Sequence, residues 1–138
     1  MYSYATANDF ATFGLRDAAL PSSVSPTDKE NAIAAASEKA GSYMRGRFRF
    51  PLVTWGMDLT QAVCQIAAFE LVAAQVGFNP ESGQNMVLLT RHDAAIRWLE
   101  QVSAGRATPA GIVDSAPSAG PGGPASQARA SSKPRRGW

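Results

Sequence analysis

The residues best equipped for chemistry stand together in one run, Arg45-Gly46-Arg47-Phe48-Arg49-Phe50, closed by Pro51-Leu52. A period of two through this run puts Arg47 and Arg49 on one side of an extended segment and Phe48 and Phe50 on the other. Guanidinium groups aligned in this way suit phosphate or carboxylate partners, so with Arg45 they could meet nucleic acid or the acids of an adjacent chain. A solvated loop whose arginine stems lie along the surface is the plainer alternative. Trp55 follows in Pro51-Leu52-Val53-Thr54-Trp55-Gly56, where it suits a core edge or an interface anchor equally.

Other reactive side chains stand in poorer company. His92 is the lone histidine and has Asp93 beside it, with no second His or Cys at ligand spacing, so neither a metal site nor a cofactor is expected. Cys64 is the one cysteine, which excludes an internal disulfide; among Val63, Ile66 and Ala67 it reads as a buried, inert thiol. Ser42, Asp58 and Glu70 offer no nucleophile, base and orienting group at a recognisable spacing. The glycines near Gly120 lie in a low-complexity stretch rather than after a strand, so they make no phosphate loop. The chain is not expected to be an enzyme.

The elements that must position these residues announce themselves by their caps. Thr6-Ala7-Asn8-Asp9 is a capping-box-like start, opening a short helix that ends near Gly14 and carries Phe10 and Phe13 on one face. Buried, those rings would stabilise the docked helix by about 1.5 to 3 kcal/mol each. Ser25-Pro26-Thr27-Asp28 is a stronger start, with Pro at the first helical position, and predicts a helix from about Pro26 to Arg45. Ile33, Ala36, Ala40, Tyr43 and Met44 form its inner stripe. Pro51 forbids the helix from running on, leaving an extended or short β segment at about 47 to 52.

Asp58-Leu59-Thr60-Gln61 supplies the next plausible N-cap. The helix it predicts, as far as Val76 and stopped by Gly77, is apolar nearly all round, which suits a central position in a bundle or one shared with another subunit. A last helix is predicted from about Asn85 to Ser103, with Met86, Leu89, Ala95 or Ile96, Leu99 and Val102 turned inward and Gly105 closing it.

The 138 residues suffice for one core, although much of the 45% apolar content is alanine and the core will be thin. The net charge of +2 is unevenly held. Residues 1 to 114 carry nine Lys/Arg against eleven Asp/Glu, while 115 to 138 carry Arg129, Lys133, Arg135 and Arg136 and no acid. From Thr108 onward Gly, Pro, Ser and Ala dominate, and almost no large apolar residue follows Asp114 until Trp138. Such a segment cannot offset its own chain entropy and is expected to be disordered alone. The division expected is therefore a helical domain over 1–107 and a basic arm over 108–138. Four cations without interleaved aromatics grip DNA weakly, so an arm that docks, with Trp138 as its anchor, fits better. No stretch reaches roughly 18 uninterrupted apolar residues, and the N-terminus lacks the blocks of a signal peptide. An intracellular, soluble chain with no membrane partner is the expectation.

Met1-Tyr2-x-Tyr4-Ala5-Thr6 before the capped Asp9-Phe10 helix, then a helix leading into Ser42-Tyr43-x-x-Gly46-Arg47-Phe48-x-x-Pro51-Leu52, carry a resemblance over about residues 2 to 104. In these features the chain resembles the Mu-like family of small phage proteins encoded among head and tail morphogenesis genes. The resemblance implies a helical bundle of about four helices with a small extended insertion and a non-globular C-terminal tail. It also implies a head-tail connector adaptor in the virion, assembled in the host cytoplasm as a ring, commonly of twelve copies, beneath the portal protein. A next neck or tail-completion protein would dock on the ring, and genomic DNA would pass through it without sequence-specific binding. Under that implication subunits would close head-to-tail through faces of the Asp58 to Val76 and Asn85 to Ser103 helices. Arg45, Arg47, Phe48, Arg49, Phe50, Trp55 and Trp138 would then serve contacts with neighbours, and Arg129, Lys133, Arg135 and Arg136 basic contacts in channel or tail. The tail is longer and more basic than the family pattern requires.

Overall fold

A computed structural model describes residues 3–16 and 19–115. Four helices account for most of them: α1 (Ala7–Asp9) running into a π-helical turn (Phe10–Gly14), α2 (Pro26–Met44), α3 (Met57–Leu71) continuing as a wider π turn (Val72–Val76), and α4 (Gly83–Ser103). The mainly helical architecture read from the sequence is the one found. Among the described residues no strand forms, and β pairing is limited to an isolated antiparallel bridge between Thr54 and Val113.

Helices α1, α2 and α4 start where polar side chains can satisfy free backbone N–H groups. At α1 the Thr6 hydroxyl accepts from the Asp9 amide at 3.1 Å and the Asp9 carboxylate accepts from the Thr6 amide at 2.9 Å. Ser25 and Asp28 repeat the arrangement at α2, with Pro26 in the first turn. Ser82 caps α4, accepting from the Asn85 amide at 3.3 Å, so this helix begins at Gly83 rather than at Asn85.

The start of α3 departs from expectation. Gly56, in an extended conformation, is its N-cap, and Asp58 lies inside the first turn. The reason is that the Asp58 carboxylate is engaged by chain from far away, accepting from the Ala110 amide at 2.8 Å. Helix α2 stops one residue short of the expected Arg45, which becomes its C-cap. Gly77, at φ 98°, ends the α3 run as its position suggested.

Helix α3 is the centre of the body. Leu59, Val63, Cys64, Ile66, Ala67, Ala68 and Leu71 are all buried on it, packed between α2, α4 and the α1 turn. Met57–Val76 has the length and mean hydropathy, 1.4, of a helix able to cross a membrane, yet 56% of it is buried inside the body. Its role as the core helix accounts for that apolarity. Close approach is possible because Gly14 lies directly on it: a Cβ there would sit 2.9 Å from the Cys64 carbonyl oxygen. The N-terminal segment is pinned across two helices by buried bonds, the Tyr4 amide donating to Ser37 Oγ at 3.0 Å and Thr60 Oγ1 donating to the Tyr4 carbonyl at 2.8 Å.

On α4 the inner stripe is Leu88, Ala95, Leu99 and Val102. Met86, expected to face inward, is exposed instead, because nine residues before Ala95 it falls on the opposite side of the helix, whereas Leu88, seven residues before Ala95, shares its face. The six-residue connection from Gly77 to Ser82 makes α3 and α4 antiparallel neighbours. The start of α3 and the end of α4 therefore share one end of the molecule.

Candidate subunit interface

At that shared end, residues 45–57 and 107–115 meet in a corner. The segment Arg45–Phe50 leaves α2 in a turn, and the Phe50–Pro51 peptide is cis. Phe48 and Phe50 are half-buried against the core, while Arg45, Arg47 and Arg49 are exposed, so the aromatics and the guanidiniums separate as the alternation predicts.

The three arginines do different work. Arg47 Nη1 donates to the Val102 carbonyl at 2.8 Å and to the Ala107 carbonyl at 2.7 Å, and its guanidinium lies 5.0 Å from the Phe48 ring centre. A cation at the Val102 carbonyl, in the last turn of α4, complements the helix dipole and adds to the bond that carbonyl accepts from the Gly105 amide at 3.1 Å. Arg45 lies over the Phe50 ring at 5.6 Å and meets Glu38 at 3.4 Å, an exposed pair of small energetic weight. Only Arg49 keeps a side chain that makes no hydrogen bond, ion pair or ring contact among the described residues. Its backbone is nevertheless held, the amide donating to Asp114 Oδ2 at 2.9 Å and the carbonyl accepting from Ser115 at 3.1 Å.

The partner segment of the corner comes from the stretch that composition assigned to the arm. Val53 and Thr54 donate to the Val113 carbonyl at 2.7 and 3.2 Å, Val113 donates back to Thr54 at 3.2 Å, and Thr54 Oγ1 donates to the Gly111 carbonyl at 2.7 Å. Gly56 admits this return: a Cβ there would stand 2.5 Å from the Ala110 carbonyl oxygen. Pro109 is buried and Ile112 packs on the core. Residues 108–115 thus begin as part of the body, and the boundary drawn at 107 cuts through a clasp.

Trp55 is half-buried and meets Tyr4 edge-to-face at 4.9 Å, which makes it a core-edge aromatic. Trp138, Arg129, Lys133, Arg135 and Arg136 lie outside the described residues. What sequence reasoning missed is a set of large apolar side chains left in solvent around the clasp: Val53 at 62% exposure, Met57 at 61% and Val113 at 53%. The signal that could have found the clasp is Ile112-Val113, an apolar pair in a stretch otherwise made of small residues. Of the α3 run expected to serve contacts between subunits, Leu59, Val63, Ile66 and Leu71 are buried inside the chain, whereas Met57 and Val76 at its two ends are exposed.

The remaining chemical candidates are structural here. The Cys64 thiol is fully buried and its pKa is pushed up to about 12, first by desolvation and then by the nearby charge of Asp9. His92 packs on Phe69 with ring centres 4.6 Å apart and meets Asp93 at 3.1 Å. Among the described residues no three of His, Cys, Asp and Glu gather as metal ligands would.

A comparison with protein families decides the lineage: the family described as bacteriophage Mu, Gp36 matches residues 5–127. The chain belongs to that family. The Mu Gp36 match runs through all four helices and the clasp and continues past Ser115, further than the resemblance over residues 2 to 104 suggested. Against the curated proteins no match to this Mu Gp36 family member is found.

Proposed function

We propose that the chain is a head-tail connector (adaptor) subunit of a tailed bacteriophage, one copy in a ring, expected to be of twelve, below the portal protein. The ring extends the DNA channel and offers the next neck or tail-completion protein a docking surface, and its role is mechanical rather than catalytic. The observation that carries this reading is membership of the Mu Gp36 family over residues 5–127; the connector role itself is what the resemblance to small phage proteins encoded among head and tail morphogenesis genes implies.

The corner favours this reading over its rival, a small helical nucleic-acid-binding or regulatory protein with a basic tail. Gripping DNA takes several uncommitted cations on one face, because affinity scales with the number of phosphates neutralised. Of the corner's three arginines, Arg47 is spent on carbonyl oxygens, Arg45 is shared between Glu38 and Phe50, and only Arg49 is uncommitted among the described residues. A channel through which a genome slides benefits from such restraint.

Cryo-electron microscopy of virions or portal complexes tests the proposal. A ring of helical subunits under the portal whose density fits residues 3–115 is the expected result. Intact virions whose neck density excludes this chain would sink it. An affinity for DNA that falls on the order of a thousandfold between 50 and 200 mM salt would point to the rival instead.

A further inference from the structure

Along the seam between α3 and α4, starting at the corner, runs a groove of about 250 Å³. Its α3 wall carries Asp58, Gln61 and Gln65, successive along one face, and its α4 wall carries Trp98 with Ala94 and Ala95. Both oxygens of Asp58 are engaged, accepting from the Leu59 and Ala110 amides at 2.8 Å each. The other polar side chains are not. Gln61, Gln65 and Trp98 make no side-chain hydrogen bond among the described residues, although Gln65 and Trp98 are half-buried. Two amides and an indole N–H therefore stand as donors without acceptors beside a floor of small side chains.

Donors and an aromatic ring over such a floor suit a peptide in the polyproline II form, whose carbonyls have no internal partners and whose prolines bring no N–H to satisfy. The chain carries such a sequence, Pro121-Gly122-Gly123-Pro124, six residues past Ser115. Polyproline II repeats every three residues at about 3.1 Å each, so these prolines would share one edge about 9 Å apart. From Asp58 to Gln65 helix α3 advances about 10 Å, which matches. The two glycines allow the backbone to approach the alanines closely. Reach fits as well: Ala110 is bonded to Asp58 at the end of the groove, and the five steps from Ala110 to Ser115 span at most about 18 Å. Six further steps to Pro121 cover up to about 21 Å. The Mu Gp36 match continues through this sequence to residue 127 and stops before the cations of the arm, which begin at Arg129.

We propose that residues 121–124 of the same chain occupy this groove, entering from the corner with Pro121 against the Trp98 indole and Pro124 toward Ala94, their carbonyls accepting from Gln61, Gln65 and Trp98. The basic residues then start beyond the docked segment, and the part of the arm free to meet a partner shortens to about 128–138. None of this depends on the ring reading, since a lone subunit closes in the same way. Ordering the segment offsets much of what these surface contacts contribute, and no core residue rests on them, so the melting temperature is a poor gauge of the docking.

Cross-linking in the full-length chain is the test. Ala125→Cys is combined either with Ala94→Cys, exposed at the far end of the groove, or with Ser42→Cys, exposed on α2 near the same corner. Cys64 is fully buried and takes no part. Under mild oxidation of dilute protein, followed by free-thiol titration and non-reducing gel mobility, the Ala94 pair should close an intrachain disulfide at least about tenfold faster than the Ser42 pair. Adding Pro121→Ala and Pro124→Ala, which alter none of the described residues, should bring the Ala94 pair down to the rate of the Ser42 pair. Equal rates for the two pairs, or a rate indifferent to the loss of both prolines, overturn the docking. A disulfide that joins two chains overturns it too and gives the groove to a second copy.

Discussion

At Cys64 a single side chain sets a pH dependence. Folded, the thiol stays protonated until about pH 12; unfolded, it ionises near its ordinary 9.0. Between those values the unfolded chain binds fewer protons than the folded one, so stability falls as pH rises. The contribution is fully present below pH 9 and declines by up to about 1.4 kcal/mol per unit above it. Cys64→Ala removes this slope along with some packing. Urea midpoints at pH 7, 9, 10 and 11 should therefore show a penalty for the variant that shrinks with rising pH, and a constant penalty would contradict the assignment. The burial behind this was legible from the neighbours of Cys64 alone. The fates of Arg45, Arg47 and Arg49 were not, because their pattern showed which side they face, whereas their partners lie some 55 to 60 residues away at Val102 and Ala107 for Arg47.

Elements were legible where local chemistry decides them. Capping boxes at Thr6 and Ser25 need only residues three apart, and both helices begin where those boxes predict. Asp58 carries the same kind of signal and was misread, since a distant amide at Ala110 competes for its carboxylate. Helix α4 shows the converse: it has no basic residue in its last turn, and the cation for its C-terminal carbonyls arrives from the α2–α3 connection. Arg47→Ala leaves the Ala107 carbonyl to water and the Val102 carbonyl with its Gly105 amide bond, and loosens residues 103–107. We expect a loss of about 1 to 2 kcal/mol, or about 4 to 8 °C in melting temperature, with faster amide exchange confined to the end of α4. Arg49→Ala, which removes a side chain with no partner among the described residues, should melt within about 1 °C of the wild type. Equal melting of the two variants would show that the Arg47 hydrogen bonds carry no stability.

For the whole molecule the decisive question is where the body ends. Composition places the change at Thr108, because Gly, Pro, Ser and Ala look alike whether a chain is packed or solvated. The packed course of 108–115 depends on partners at Arg49, Val53, Thr54 and Asp58 that no local pattern reveals. Two truncations separate the possibilities. A chain ending at Ser115 keeps the clasp and should melt as the full chain does. One ending at Ala107 loses buried Pro109, the Ile112 contact and the bonds to Val53 and Thr54, and should melt at least about 5 °C lower, equivalent to roughly 1 kcal/mol. The same pair bears on assembly. If the corner is the face presented to a neighbour, the chain ending at Ser115 still associates, while the one ending at Ala107 has lost Val113 and Asp114 and does not, even where it remains folded. Association that survives removal of the clasp would place the contact elsewhere on the body, and association that needs residues beyond Ser115 would assign it to the basic arm.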